Sequence, residues 1–408
     1  MSFFKQTINT VPLQGQTVLV RVDYNVPFNK DGTIGDDFRI RASLPTIKRL
    51  LSDNCKVVLI SHCGRPEGRD KKFSLEPIAQ RLAQLLGEQV RFCDQTIGDK
   101  VKMAIRRAPK KSVTMLENLR FYAQEEANDE TFARQLAQDT GARYFVQDGF
   151  GVVHRAHAST SAITHFLPSV AGLLIEREYT TITKTMRDPQ RPLVAVLGGA
   201  KVSDKIGVIQ ALVSVADTII IGGAMANTFL AYKGKAMGTS LVETGQEDTL
   251  NKIYAAATEK VGADKVDDFL VLPTDAAVGQ LPPLDDNRRI TSIDSIGENE
   301  KALDIGDKTI EKMVDLIVKA KTVIWNGPLG MTEYPAFTHG SARLALTLAT
   351  HSEITSIIGG GDTADFVLGW DARGGESFTH ISTGGGASME LMAGEKLPGI
   401  ESLLDAHS

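Results

Sequence analysis

The sequence predicts an α/β protein built from two doubly wound parallel-sheet domains, and three observations carry that prediction. Short runs rich in Val, Ile and Leu alternate with helical patterns over the whole length. Parallel strands covered by helices on both faces read this way, because neither face meets water. At 408 residues the chain is too long for one ordinary core and divides into two or three domains. The chemically distinctive residues stand just after the apolar runs, where sheets of this class bind their ligands.

Taken in order, the strand-like runs are TVLVRV from Thr17, KVVLIS from Lys56, VTML from Val113 and ARYFV from Ala142. A second series follows with LVAVL from Leu193, TIII from Thr218, FLVL from Phe269, TVIW from Thr322 and TSII from Thr355. Between them, RIRASLPTIKRLLSD from Arg39, SLEPIAQRLAQLLG from Ser74 and DETFARQLAQDTG from Asp129 carry the spacing of amphipathic helices. The alternation breaks at a helix-like stretch from Leu167 to about Met186, which is followed by Pro189 and Pro192. The expected organisation is an N-terminal domain over 1–170, a connecting helix and hinge over 171–187, a C-terminal domain over 188–390 and a last segment over 391–408.

Composition excludes several classes of function. A net charge of −5 argues against a general nucleic-acid binder. Cysteines 55, 63 and 93 are odd in number and lack C-x-x-C spacing, so neither a disulfide framework nor a zinc site is expected. The opening MSFFKQTINTVP has no apolar stretch of secretory type, and no run approaches the ~18 to 20 apolar residues of a membrane span. A cytoplasmic protein without membrane attachment is expected.

The turns change character halfway along. In the first half they carry arginine, histidine and acids. R-V-D-Y-N-V-P sets Arg21, Asp23 and Asn25 on one face of an extended strand, where Asp and Asn can accept from a substrate hydroxyl or Arg21 can pair with Asp23. Arg39 and Arg41 open a helix, at the end whose dipole favours an anion. S-H-C-G-R-P brings His62 and Arg65 to a strand end, L-E-N-L-R-F does the same for Arg120, and H-R-A-H contributes Arg155. Singly these fit a solvated surface; together they fit a small anion. His154 and His157 have metal-like spacing but no accompanying ligand pattern.

In the second half the turns carry glycine and lysine. No G-x-x-x-x-G-K-[ST] occurs. Instead L-G-G-A-K-V-S-D-K opens a helix to about Val215, on whose first turns Lys201 and Lys205 are expected to be neighbours. Gly222 and Gly223 follow the next strand, W-N-G-P-L-G places Asn326 after another, and G-G-G-D-T-A from Gly359 opens a helix with Asp362 and Thr363 in its first turn. Such turns suit a phosphate chain, and Asp362 can sit beside a bridging Mg²⁺. G-G-G-D-T-A also satisfies a dinucleotide fingerprint, but Thr379 and His380 stand where its acidic residue belongs. T-G-G-G-A-S from Thr383 is a further anion-ready helix start.

Read together, VLVRVDYNVP, SHCGRP, LENLRF, DGFGVVHRAHAS, LGGAKVSDKI, WNGPLG, GGGDTA and STGGGAS resemble the phosphoglycerate kinase family, in order and over nearly the entire chain. The resemblance implies two Rossmann-like domains and reversible phosphoryl transfer from 1,3-bisphosphoglycerate to ADP, giving 3-phosphoglycerate and ATP in a closed interdomain cleft. It assigns 3-phosphoglycerate to Asp23, Asn25, Arg39, His62, Arg65, Arg120 and Arg155. The nucleotide goes to Lys201, Lys205, Gly222, Gly223, Asn326, Glu333, Gly360, Gly361, Asp362 and Thr363. Catalytic roles fall on Arg39, Lys201, Gly361 and Gly384, with Mg²⁺ held mainly by the nucleotide phosphates and by Asp362. A monomer is expected, with its C-terminal segment packing back on the first domain. Gln147, Ala224 and the run EKALDIGD depart from the family's usual residues, the last two near the adenine. Two other readings stay open at this point: an NAD-dependent oxidoreductase, and a non-enzymatic nucleotide-binding protein on the same fold.

Overall fold

The computed structural model describes residues 3–280 and 288–406. The chain divides into two compact units, Met1–Thr180 together with Lys396–Ser408, and Thr181–Glu395. The first unit holds strands β1 (Thr17–Arg21), β2 (Lys56–Ile60), β3 (Val90–Cys93), β4 (Ser112–Leu116), β5 (Tyr144–Gln147) and β6 (Ser169–Ala171). They form one parallel sheet in the order β3-β4-β2-β1-β5-β6.

Alternate residues of its strands feed two cores. Val18, Val20, Val57, Leu59 and Met115 face the helix Phe38–Ser52, which buries Ile40, Ile47 and Leu50. Leu19, Val58, Ile60 and Phe145 face the other way, onto Val101 and Ile105 of Asp99–Arg107 and Phe132 and Leu136 of Glu130–Thr140. Each such side chain contributes about 1.5–3 kcal/mol of burial. That is enough for Phe38–Ser52 to stay helical through Pro45, which cannot donate to the preceding turn. Glu130–Thr140 is bounded as its sequence implies: Asp129 accepts from the Phe132 amide at 2.7 Å, and Gly141 ends it at φ 59°.

The second unit contributes β7 (Leu193–Leu197), β8 (Thr218–Ile221), β9 (Leu270–Val271), β10 (Asp275–Gly279), β11 (Arg289–Ser292), β12 (Lys301–Ile305), β13 (Thr322–Asn326), β14 (Thr355–Gly359) and β15 (His380–Ile381). Six of these make a parallel sheet ordered β15-β14-β13-β7-β8-β9. The other three form an antiparallel sheet, β11-β10-β12, which the alternating pattern does not predict.

Other expectations are corrected in detail. The helix expected from Leu167 begins at Leu173 and runs to Arg187, because Ser169–Ala171 pair with β5 as an edge strand. The division between the units falls within this helix. FLVL is split, since Phe269 closes a short helix and Leu270–Val271 alone pair with β8. Lys396 onward groups with the first unit: Lys5 Nζ donates to the carbonyls of Glu401 and Leu403 at 2.7 and 2.9 Å, and to Asp405 at 2.7 Å. The last two residues of ESLLDAHS lie outside the described residues. Among the described residues no helix is long and apolar enough to cross a membrane.

Asp275 is 4% exposed and caps the helix Asp307–Ile317 from β10. Its carboxylate accepts from the amides of Lys308 and Thr309 at 3.0 and 2.9 Å and from Thr309 Oγ1 at 2.6 Å. Asp275→Ala orphans these donors, so urea denaturation should show the second unit weakened by about 2 kcal/mol; an unchanged midpoint would contradict the capping role.

Candidate functional site

In the first unit the carboxyl ends of β1, β2, β4 and β5 run out together, and the turns beyond them gather cations. Arg21, the last residue of β1, is 1% exposed and donates through Nη2 to His62 Nδ1 at 3.1 Å. A guanidinium only donates, so Nδ1 is the acceptor and the ring is neutral, with its proton on Nε2. Burial, and then Arg21, Arg120, Arg155 and Arg39, hold His62 well below the usual histidine range. Asp23 does not close an ion pair with Arg21; it pairs with Arg39 from the first turn of Phe38–Ser52.

The turn after β2 is fixed from three sides. Gly64 stands at φ 65°, and a Cβ there would lie 2.3 Å from the Phe73 ring. Its amide donates to Asn25 Oδ1 at 2.8 Å and its carbonyl accepts from Arg120 Nη1 at 2.7 Å. Buried Asn118 ties this turn to the next, donating to the carbonyls of Cys63 and Phe73 at 2.8 and 2.9 Å and accepting from the Arg120 amide at 3.0 Å. Arg120 also pairs with Glu126 at 2.8 Å, Arg155 Nε donates to His154 Nε2 at 3.2 Å, and Arg65 is exposed.

Burial lowers the basicity of Arg21 and Arg120; the charges of Arg120 and Arg155 lower that of Arg21 further, and those of Arg155 and Arg65 that of Arg120. Partial relief comes from Asp23 and from Glu125, which the sequence reading passes over. Glu125 is fully buried, accepts from the Ser159 amide at 3.0 Å and its hydroxyl at 2.5 Å, and is the first opposite charge felt by Arg21. A fixed cluster of like charges of this kind is stabilised by an anionic ligand.

In the second unit the corresponding turns pack backbone against backbone. Gly198 donates to the Asn326 carbonyl at 3.0 Å, Gly199 to that of Pro328 at 2.8 Å, and Gly223 to that of Leu329 at 3.0 Å. A Cβ on Gly198 would lie 2.1 Å from the Pro328 carbonyl oxygen, and one on Gly223 would lie 2.6 Å from the Gly199 nitrogen. Gly222 is equally confined, with the Leu329 side chain 2.4 Å from where its Cβ would stand. The expectation for the two lysines is corrected. Lys201 lies in the turn ahead of the helical stretch and is exposed, whereas Lys205 closes a short 3-10 turn before the helix Ile206–Val215 and is half-buried. Lys205 Nζ donates to the Asn326 carbonyl at 2.9 Å and pairs with its Oδ1. Burial pulls this amine down to about 8, against the opposing charges of Asp362 and Asp204.

Gly360, at φ 89°, caps the helix Gly361–Trp370. Asp362 is exposed in its first turn, while Thr363 is buried and accepts from the Gly327 amide at 2.7 Å. Gly384 donates to Ser382 Oγ at 3.0 Å ahead of the helix Gly386–Met392. A cavity of about 420 Å³ opens against these turns, lined by Gly199, Ala200, Gly223, Ala224, Leu241, Leu303, Met331, Glu333 and Asp362. Its size suits a nucleotide, with apolar walls for a base and the glycine turns for phosphates.

Comparison with known proteins agrees over nearly the whole chain. The phosphoglycerate kinase family model matches residues 8–395. The phosphoglycerate kinase of Pelotomaculum thermopropionicum is 43% identical over 402 residues, covering 98% of this chain and 99% of that protein. That of Dictyoglomus turgidum is 45% identical over 395 residues, 96% of each. Among solved structures, phosphoglycerate kinase from Coxiella burnetii gives a TM-score of 0.82 at 33% identity, with 98% of both chains covered. The enzyme from Pyrococcus horikoshii gives 0.83 at 30% identity, with the same coverage. None of these supports an NAD-dependent oxidoreductase. With its motifs, fold and relatives in agreement, the chain belongs to the phosphoglycerate kinase family.

Proposed function

We propose that the chain transfers a phosphoryl group reversibly between 1,3-bisphosphoglycerate and ADP, with the arginine cluster of the first unit holding the acid and the glycine turns of the second holding the nucleotide. The observation that carries this reading is the division of chemistry itself. Side-chain cations in fixed positions suit a small, highly charged acid, and close-packed backbone beside a 420 Å³ cavity suits a phosphate chain with its base. His62, Arg65, Arg120 and Arg155 take the phosphate and carboxylate of 3-phosphoglycerate, while Asp23 and Asn25 orient its hydroxyl. Lys205, Asn326, Gly360 and Thr363 serve the nucleotide phosphates, Gly222 and Gly223 the base, and Glu333 the ribose.

In the direction of ATP use, a carboxylate oxygen of 3-phosphoglycerate forms a bond to the γ-phosphorus as the bond to the β–γ bridging oxygen breaks. The carboxylate is already ionised, so no general base is needed. Catalysis is alignment and charge neutralisation, which brings Arg39 and Lys201 to the oxygens of the moving group and the helix starts at Gly361 and Gly384 near the phosphates. Each unit supplies part of this set, so transfer requires the two to be brought together, with Leu173–Arg187 as part of the hinge. Among the described residues no group of three or more His, Cys, Asp or Glu could hold a metal unaided. Exposed Asp362 at the cavity fits the remaining role, one carboxylate ligand to a Mg²⁺ otherwise held by phosphate oxygens. That ion, when bound, neutralises phosphate charge. The enzyme is read as a monomer of the cytoplasm.

A coupled assay with ATP, Mg²⁺ and 3-phosphoglycerate tests the activity directly. In that assay Arg39→Ala should lower turnover about 10²- to 10³-fold while calorimetry finds ADP affinity within threefold; undiminished turnover would remove Arg39 from its role. A second prediction concerns pH. Burial and the neighbouring arginines hold His62 well below 6.5 and pull His157 down to about 4. Unfolded, both titrate near 6.5, so the unfolded chain binds more protons below that value. Their contribution to stability is complete above pH 6.5 and is lost as pH falls towards 4. NMR should find both rings neutral from pH 8 to 6, and a midpoint above 6 for either would refute the assignment.

A further inference from the structure

The segment Gly238–Glu243 is braced on two sides within the second unit. Thr239 donates to the Glu300 carbonyl at 2.9 Å, and Ser240 Oγ accepts from the Ala302 amide at 2.8 Å, on the approach to β12 and within it. Towards the helix Gly223–Tyr232, the Leu241 carbonyl accepts from Asn227 Nδ2 at 3.2 Å, and the Glu243 amide donates to Thr228 Oγ1 at 3.0 Å. The segment ends by reaching the lysine turn. The Glu243 carboxylate accepts from the amides of Val202 and Ser203 at 2.8 and 3.1 Å and also from the Ser203 hydroxyl.

Those two amides stand where the helical stretch from Ser203 begins and would otherwise be unsatisfied donors available to a phosphate. Glu243 occupies both. Phosphates approaching this turn therefore meet the side chains of Lys201 and Lys205, and helix-start amides serve them elsewhere. Partial burial works against the charge on Glu243, but Ser203, Val202 and Lys201 together hold its carboxyl below the ordinary range.

We propose that Glu243 is a positioning residue for phosphoryl transfer, an internal anion that fixes the turn from which Lys201 reaches the moving group. This rests on the role given to Lys201 above. Because Leu241 lines the cavity and lies two residues away, the same braced segment ties one wall of the nucleotide site to the lysine turn.

The test is a double-mutant cycle on the full chain, assayed with ATP, Mg²⁺ and 3-phosphoglycerate. Glu243→Ala should lower kcat at least tenfold with KM for 3-phosphoglycerate within twofold, and Glu243→Gln, which keeps an acceptor oxygen, should fall between it and the parent. The variant Glu243→Ala/Lys201→Ala should be within twofold of Lys201→Ala alone, a non-additivity that a merely structural brace would not give. Thermal melting monitors folding, and Glu243→Gln takes the place of the alanine variant in the cycle if the latter does not fold. A full multiplicative loss in the double variant overturns the proposal, as does Glu243→Ala turnover within twofold of the parent while Lys201→Ala is slow. Unchanged turnover in Lys201→Ala itself would instead strike the reading of that lysine, and the proposal with it.

Discussion

Arg21 lies opposite Ile60 on one side and Gln147 on the other, so three neighbouring strands of the first unit run out at one level and their next residues leave the sheet together. In the second unit Asn326 stands in the same relation to Leu197 and Gly359. In-register parallel pairing is the constraint from which both sites follow. Asp23, His62 and the turn after Gln147 can meet around Arg21 because no strand end is longer than its neighbours. By the same rule Gly198, Gly327 and Gly360 converge on Asn326. A slip of one residue would exchange Val18 and Val20 for Leu19 at the core facing Phe38–Ser52. The two buried faces thus hold the register, and the register holds the sites.

The units use the shared geometry at different electrostatic cost. The first concentrates formal charge, and buries Arg21 and Glu125 to do so. Neither is tolerable alone, since an unpaired buried charge costs several kcal/mol. Glu125 moderates the field of Arg21 while its hydrogen bonds to Ser159 hold the loop that carries Arg155. The second unit depends on approach rather than charge. Its turns come so close that a methyl group on Gly198 or Gly223 would overlap backbone atoms, and Lys205, half-buried among them, loses basicity through burial. Rigid backbone is a suitable cradle for phosphates because it needs no side-chain ordering when they arrive.

Much of this was legible in the sequence. LVAVL and TIII are strands over the residues their composition marks, because continuous apolar runs have no other stable home in a doubly wound sheet. The cationic turns of the first half were legible too, being composed of residues with few structural reasons to cluster. What escaped depends on partners distant in the chain. β6 and β15 are short edge strands defined by what they pair with. The antiparallel sheet of β10, β11 and β12 interrupts the alternation with segments too brief and too mixed to declare a period. Lys201 and Lys205 share a helical spacing but not a helix: the helical stretch begins only at Ser203, where Glu243, forty residues on, takes the amides of Val202 and Ser203. Glu125 and Glu243 look like ordinary surface acids until the fold shows which amides they serve.

The closing residues bear on the order in which the protein takes shape. Lys5 bonds to Glu401, Leu403 and Asp405, and Gly399 donates to the Val153 carbonyl at 2.8 Å. The second unit is one uninterrupted stretch, Thr181–Glu395, set between the two portions of the first. During synthesis its residues are all in hand before those that finish the first unit have been joined. The half that begins the chain is thus the last to be completed, and through the making of the second unit Lys5 and the Val153 carbonyl wait for the partners that Lys396 onward supplies.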